Sequence, residues 1–249
     1  MHKSVLTIDE VSDGVVQLTM HDRDFKNTFS SELSAALIDT FKSVSRNPKY
    51  RAVVITGYDT YFCCGGTRET LISLHEGKGK FTDSDLYRLP LDCEIPVIAA
   101  MQGHGIGGGL VFGLFSDFAI FSRESIYTTN FMKFGFTPGM GATHIIPDKL
   151  GVSLGIEMLI SARDYRGDEL AQRGMPHPVL PRADVLPAAI ALAKDIAEKP
   201  RLSLVTLKSH LISTTRQVLP SIVSKEIEMH SLTFHQPSTK DRIEKLFGS

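Results

Sequence analysis

VIAAMQGHGIGGGLVFGLFSD, residues 97–117, is the stretch on which the reading of this chain turns. An apolar, β-branched run enters a cluster of glycines and continues into an apolar helix-forming run that carries no acid, base or nucleophile. Glycines at a strand-to-helix junction have three uses. They let the backbone turn and the two elements approach, they cradle a phosphate, or they offer backbone N–H groups at a helix start to an anion that forms there. The phosphate use fits poorly, because "GHGIGGG" lacks the Lys-Ser/Thr ending of a P-loop and no dinucleotide unit with a later acidic residue follows. The third use needs no side chain, but it calls for a second donor from another turn.

On either side of this stretch, short apolar runs alternate with helical patterns. "VVQLTM" (15–20), "AVVITG" (52–57), "VIAAMQ" (97–102) and "DFAIFS" (117–122) read as strands, while Leu33, Ala36, Leu37, Phe41 and Val44 share one face of a helix opening near Ser30. That alternation predicts an α/β fold whose strands are buried on both faces. From about residue 150 the pattern is almost wholly helical, through "VSLGIEMLISA", "ADVLPAAIALAKDIAEK", "SLVTLKSHLIS" and "VLPSIVSKEIEMHSLTFH". We divide the chain into an α/β core, 1–195, and a C-terminal helical region, 196–249.

The 249 residues carry a formal net charge of −1 with acids and bases interspersed, so no basic face for nucleic acid or an anionic membrane is expected. No apolar run reaches the roughly 20 residues of a membrane helix, and the first residues lack a signal-peptide pattern, which predicts a cytoplasmic protein. Three cysteines, two of them adjacent (Cys63 and Cys64), make neither a disulfide framework nor a zinc-ligand spacing. They read as reduced thiols, and no metal or cofactor is expected.

The second donor turn is "YFCCGGTRE" (61–69), which follows the strand "AVVITG" and opens a helix. Taken in order, "YDTYFCCGGTRE", "IPVIAAMQGHGIGGGLVFGLFSDFAIFSRES" and "NFMKFGFTPGMGATHIIPDKLG" resemble the consecutive signatures of the crotonase (enoyl-CoA hydratase/isomerase) superfamily. The resemblance covers essentially the whole chain. It implies a spiral of ββα units, a C-terminal helical trimerisation region and a thioester carbonyl held in an oxyanion hole. By motif, the two donors would be the N–H groups of Gly66 and Gly108. The glycines would then serve an enolate oxygen.

Departures from the family pattern narrow the chemistry. The two glutamates with which crotonase-type hydratases activate water correspond by position to Val111 and Phe131, and neither side chain transfers a proton. An acid-free enolate site suits decarboxylation, in which departing carbon dioxide leaves its electron pair on the substrate. The sequence is most similar to the crotonase-like decarboxylases of polyketide β-branching in bacillaene-type clusters, through "DCEIPVIAAMQGHGIGGG", "SRESIYTTNFMKFGFTPGMGAT", "YRGDELAQRGMP" and "RLSLVTLKSHL". That resemblance implies a 3-methylglutaconyl thioester on an acyl carrier protein, reached through its phosphopantetheine arm, and a 3-methylcrotonyl-type product. It also implies a Lys/His pair, for which Lys80 in "GKGKFTD" and His230 in "EIEMHSLTFHQP" are the candidates. Lys80 is not at the matched helix position, which here is Leu74, and Lys78, His104 and His235 stand as rivals. Cys63 and Cys64 have no base in sequence relation to them and read as small residues at a close turn. The apolar faces carrying Leu204, Leu207, Leu211, Ile222 and Ile227 exceed what one small helical layer covers and predict an oligomer, for which the resemblance implies a homotrimer, or a hexamer of paired trimers. Two alternatives to the decarboxylase remain open: an enoyl-thioester isomerase, and a non-catalytic module that binds carrier proteins.

Overall fold

In the computed structural model, residues 4–79 and 85–247 are described. The strands are β1 (Leu6–Ser12), β2 (Val15–Met20), β3 (Ala52–Thr56), β4 (Tyr61–Cys63), β5 (Val97–Met101), β6 (His104–Ile106), β7 (Phe118–Ser122), β8 (Ile126–Thr128), β9 (Tyr165–Arg166) and β10 (Val179–Leu180). The helices are α1 (Ser31–Arg46), α2 (Arg68–His75), α3 (Leu89–Asp92), α4 (Gly108–Leu114), α5 (Ala142–Leu150), α6 (Val152–Ser161), α7 (Gly167–Gln172), α8 (Arg182–Ala197), α9 (Arg201–Leu211), α10 (Ser213–Thr233) and α11 (Pro237–Leu246).

Two sheets form, one in the order β1-β2-β3-β5-β7-β10 and a smaller one in the order β4-β6-β8-β9. In the larger sheet β1 is antiparallel to β2 and the remaining neighbours are parallel. Three consecutive passes, β3-β4, β5-β6 and β7-β8, each lay one strand in each sheet and run on into helical chain. This is the ββα spiral that the sequence resemblance implies.

The long strands form because they are apolar throughout and find cover on both faces. Every residue of β3 and of β5 is buried. Val53, Ile55, Val97 and Ala99 join the main core, whereas Val54, Ile98 and Ala100 face α8 through Val185, Ala189 and Ala193. The alanines on α8 recur every fourth residue, and their small size lets the helix lie close on the sheet. Helix α1 starts where the sequence places it: Ser30 is the N-cap and its Oγ accepts from the Leu33 N–H at 3.1 Å.

The three-residue strands β4 and β6 are the fold's departure from the reading of the sequence, which ran each apolar strand straight into its glycines. Each inserts a short segment of the second sheet between a long strand and its glycine turn. Three residues are too few to show a period of two, so pattern alone does not reveal them.

Helix α9 is fastened to the core by a buried ion pair. The Lys208 ammonium, 4% exposed, meets Asp117 at 2.7 Å and donates to the carbonyls of Pro90 at 3.0 Å and Ile95 at 3.1 Å, so each of its three protons has an acceptor. Among the described residues, no helix is long and apolar enough to cross a membrane.

Candidate active site

The two glycine turns lie against each other. Strand β4 leads into Cys64-Gly65-Gly66, and Thr67 caps α2 by accepting from the Thr70 N–H at 3.0 Å. Strand β6 leads into Gly107, whose N–H donates to the Thr128 carbonyl at 2.8 Å, and α4 begins at Gly108. A Cβ on Gly109 would stand 2.1 Å from the Cys63 carbonyl oxygen, and one on Gly65 would stand 2.9 Å from the Ile106 oxygen and 3.2 Å from the Gly108 nitrogen. Only glycine fits there, because each turn occupies the space that a side chain on the other would need.

Close packing and donor exposure are therefore the same feature. The N–H of Gly66 precedes α2 and that of Gly108 is in the first turn of α4, where no intrahelical acceptor exists. Among the described residues neither N–H has a hydrogen-bond acceptor. Both glycines line one cavity of about 370 Å³, walled by Phe29, Leu71, Leu74, Tyr87, Phe136 and Met140 among others. Phe131 lines it too, and Val111 is buried on α4, so the two acid positions of a hydratase are filled by apolar groups.

His230 lies on α10 and lines a second, smaller cavity, of about 180 Å³, which shares Leu74 and Met140 with the first. Its ring stacks on Phe234 (centroids 5.5 Å, planes at 21°) and tilts against Phe136 at 5.8 Å. Burial, reinforced by nearby His235, pushes its pKa down to about 4, so the ring is neutral at neutral pH. Lys80 lies outside the described residues; the residue before it, Gly79, lines the His230 cavity. Gly66, Gly108 and His230 are thus gathered around two adjoining cavities.

The rivals have structural employment. The Nδ1 of His104 accepts from the Ile126 N–H at 2.9 Å, tying β6 to β8, and burial pushes its pKa down. His235 donates from Nδ1 to the His75 carbonyl at 2.8 Å and lines the smaller cavity. Lys78 borders the larger cavity but pairs with Glu76 at 2.8 Å, with most of its side chain exposed. Burial holds the Cys64 thiol up at about 12 and pushes the Cys63 thiol higher, which removes both as thiolate nucleophiles.

Three groups escaped the sequence reading. Tyr87 lines the larger cavity with its phenol pushed up to about 12, mainly by burial, so it is a neutral hydrogen-bonding group there. Glu226 is 1% exposed and sits one helical turn before His230. Its carboxylate accepts from the N–H of Gly141 (2.7 Å), the N–H of Thr143 (2.9 Å) and the Thr143 hydroxyl (2.6 Å), capping α5. Burial pushes its pKa up against those three donors. Met140 is the third, a non-glycine residue at φ 63° in the wall common to both cavities. The four-residue spacing of Glu226 and His230 in "KEIEMH" was a usable signal.

This architecture has close relatives. The family model for enoyl-CoA hydratase/isomerase matches residues 10–246. Bacillaene synthase decarboxylase PksI of Bacillus subtilis (strain 168) is 56% identical over 249 residues, all of both chains. A solved structure from work on a dehydratase/decarboxylase enzyme couple involved in polyketide β-branching superposes with a TM-score of 0.98 at 56% identity, over 99% of this chain and 100% of that one. The ECH2 decarboxylase domain of CurF from Lyngbya majuscula gives 0.94 at 46% identity, over 98% and 100%. With two glycine turns set against each other on a ββα spiral and a family match along nearly its whole length, the chain belongs to the crotonase (enoyl-CoA hydratase/isomerase) superfamily.

Proposed function

We propose that this protein decarboxylates a 3-methylglutaconyl thioester carried by an acyl carrier protein, giving a 3-methylcrotonyl-type thioester during polyketide β-branching. One observation carries the reading: two backbone N–H groups with no acceptor among the described residues belong to glycines lining a cavity from which both hydratase acids are missing, beside a second cavity holding a buried neutral histidine. High identity to a decarboxylase over the full chain supports it.

In this mechanism the thioester oxygen accepts from Gly66 and Gly108. As the bond to the distal carboxylate breaks, carbon dioxide leaves and the electron pair spreads over a dienolate from the distal carbon to that oxygen. The two N–H groups bind the resulting charge more tightly than the starting carbonyl, which is the condition for a rate gain. His230, kept neutral by burial, is raised toward protonation by a substrate carboxylate brought beside it. It then holds the proton that quenches the dienolate. Lys80 orients the carboxylate out of the conjugated plane or donates that proton. Protonation at the distal carbon gives the α,β-enoyl product, and at the carbon next to the thioester the β,γ-enoyl product.

The reading also takes the protein to be a cytoplasmic homotrimer. Leu202, Leu207 and Leu211 of α9 are 78%, 57% and 69% exposed, and a neighbouring subunit would cover them. The central test is mass spectrometry of 3-methylglutaconyl-loaded carrier protein after incubation. Loss of carbon dioxide is expected. No loss at high enzyme concentration would favour the non-catalytic module, and a moved double bond without mass change, on a substrate lacking the distal carboxylate, would favour the isomerase.

A further inference from the structure

Two consecutive residues join the two halves of the site. A Cβ built on Gly139 would stand 3.0 Å from Nε2 of His230, so this glycine lies against the imidazole ring. A Cβ built on Gly108 would stand 3.1 Å from Sδ and 3.3 Å from Cε of Met140, so the next side chain along lies against an oxyanion donor. Met140 is also the boundary between the two cavities, since it lines both.

Its backbone is in the left-handed region at φ 63°, a conformation that costs a side-chain-bearing residue energy and persists only when its surroundings enforce it. Here the enforcement comes from Glu226, 85 residues beyond Gly141. The Glu226 carboxylate grips the N–H of Gly141 and, with its other oxygen, the N–H and hydroxyl of Thr143. That grip pins the turn immediately after Met140. Glycine at position 140 would relieve the strain, but would leave no side chain between the cavities.

We propose that Met140 is the specificity-determining residue of the acyl cavity, setting the width of the passage between the oxyanion donors and His230, and that Glu226 is the positioning residue that holds Met140 there. The preferred acyl group is one whose 3-substituent is no larger than methyl. The proposal rests on the decarboxylase reading only for the identity of that acyl chain. A thioether is flexible and polarisable and closes against irregular surfaces, here from a backbone position beside a turn that the Glu226 contacts hold. In a hydrophobic pocket one methylene of substrate is worth about 10-fold or more in selectivity.

The test gives wild type, Met140→Ala, Met140→Gly and Glu226→Gln the 3-methylglutaconyl group and its 3-ethyl homologue on carrier protein, and compares the two rates of carbon dioxide loss as a ratio. In parallel, calorimetry compares the affinities of the corresponding saturated pantetheine thioesters, which cannot react. Both Met140 variants are expected to shift the ratio toward the ethyl substrate by about 10-fold or more. Met140→Gly keeps the fold safe, because glycine adopts this φ without steric cost. Glu226→Gln, which retains one acceptor oxygen, is expected to shift the ratio in the same direction by a smaller factor and to lower kcat more than it raises KM. Ratios unchanged in both Met140 variants, in rate and in affinity, would overturn the role of Met140. A lowered melting temperature with the wild-type ratio in Glu226→Gln would overturn the role of Glu226. If wild type releases carbon dioxide from neither substrate, the decarboxylase reading falls, and the affinity ratio still decides the matter of Met140.

Discussion

On one side of the cavity the groups we propose to work on the substrate are backbone amides, and on the other they are side chains. Gly66 and Gly108 are fixed by two short turns that fill each other's side-chain space, and nothing about their donors depends on a rotamer. His230 reaches the cavity from a helix near the end of the chain, kept neutral by burial and framed by Phe136, Phe234 and Gly139. The first side tolerates no added atom at Gly65 or Gly109, where the two turns interlock; the second is assembled from parts far apart in sequence and can be re-cut. Stabilising charge on a thioester oxygen is common to many reactions, whereas what happens at the far end of the acyl chain differs between them. The variable chemistry sits on the adjustable side.

The harshest way to break this contrast is to add one methyl group to the backbone side. In Gly109→Ala the new Cβ would have to stand 2.1 Å from the Cys63 carbonyl oxygen. Forcing the turns apart costs about 1–3 kcal/mol or more as overpacking, and misplacing an oxyanion donor costs about 10²–10³ in turnover. Thermal unfolding and steady-state kinetics should both register it; a variant with wild-type melting and rate would mean that the two turns are not locked together.

His230→Ala, on the side-chain wall, and Lys80→Ala, outside the described residues, are each expected to lower turnover by about 10² or more without unfolding the protein, the usual scale for a proton-transfer group. Circular dichroism separates lost chemistry from lost fold. Wild-type rates in both variants would remove the pair and return attention to His235 and Tyr87.

Acid titration sharpens the comparison further. The folded pKa of His230, about 4, lies below the ordinary value of about 6.5. Between those values the unfolded chain takes up a proton that the folded chain refuses, so the stability tied to this neutral ring is complete above about pH 6.5 and drains as pH falls toward 4. His230→Gln should therefore lose less stability than wild type across that window, read from denaturant midpoints at successive pH values. Parallel curves would show that the ring is not held neutral. Smallest of all is Lys78→Ala: its partner Glu76 is a surface acid and the Lys78 side chain is 68% exposed, so little stability is at stake and the melting temperature should stay close to wild type. A turnover loss as large as that of Lys80→Ala would reassign the catalytic lysine.

Legibility in the sequence followed the same division. Strand β2 and the N-cap of α1 fall where the apolar pattern places them, and β3, β5 and β7 within a residue, because each is long enough for its pattern to show. The two glycine turns could be picked out because their pattern is local, written in consecutive residues. Strands β4, β6 and β8 were not legible, each having only three residues. Met140 stood inside a quoted motif without being recognised, since its importance lies in a φ angle and in a carboxylate 85 residues beyond Gly141. No periodicity reports such a contact.

The buried Lys208–Asp117 pair bears on how the molecule meets heat. Taking two charges out of water is costly at ordinary temperature, so a pair of this kind adds little net stability in the cold. The hydration that the charges forgo becomes less favourable on warming, and the penalty shrinks while the pairing and the two carbonyl contacts of Lys208 persist. The fastening of α9 to the start of β5 thus weakens less with temperature than the surrounding apolar packing would suggest, and the helices that follow it, α10 with His230 among them, hang from an anchor suited to warm conditions.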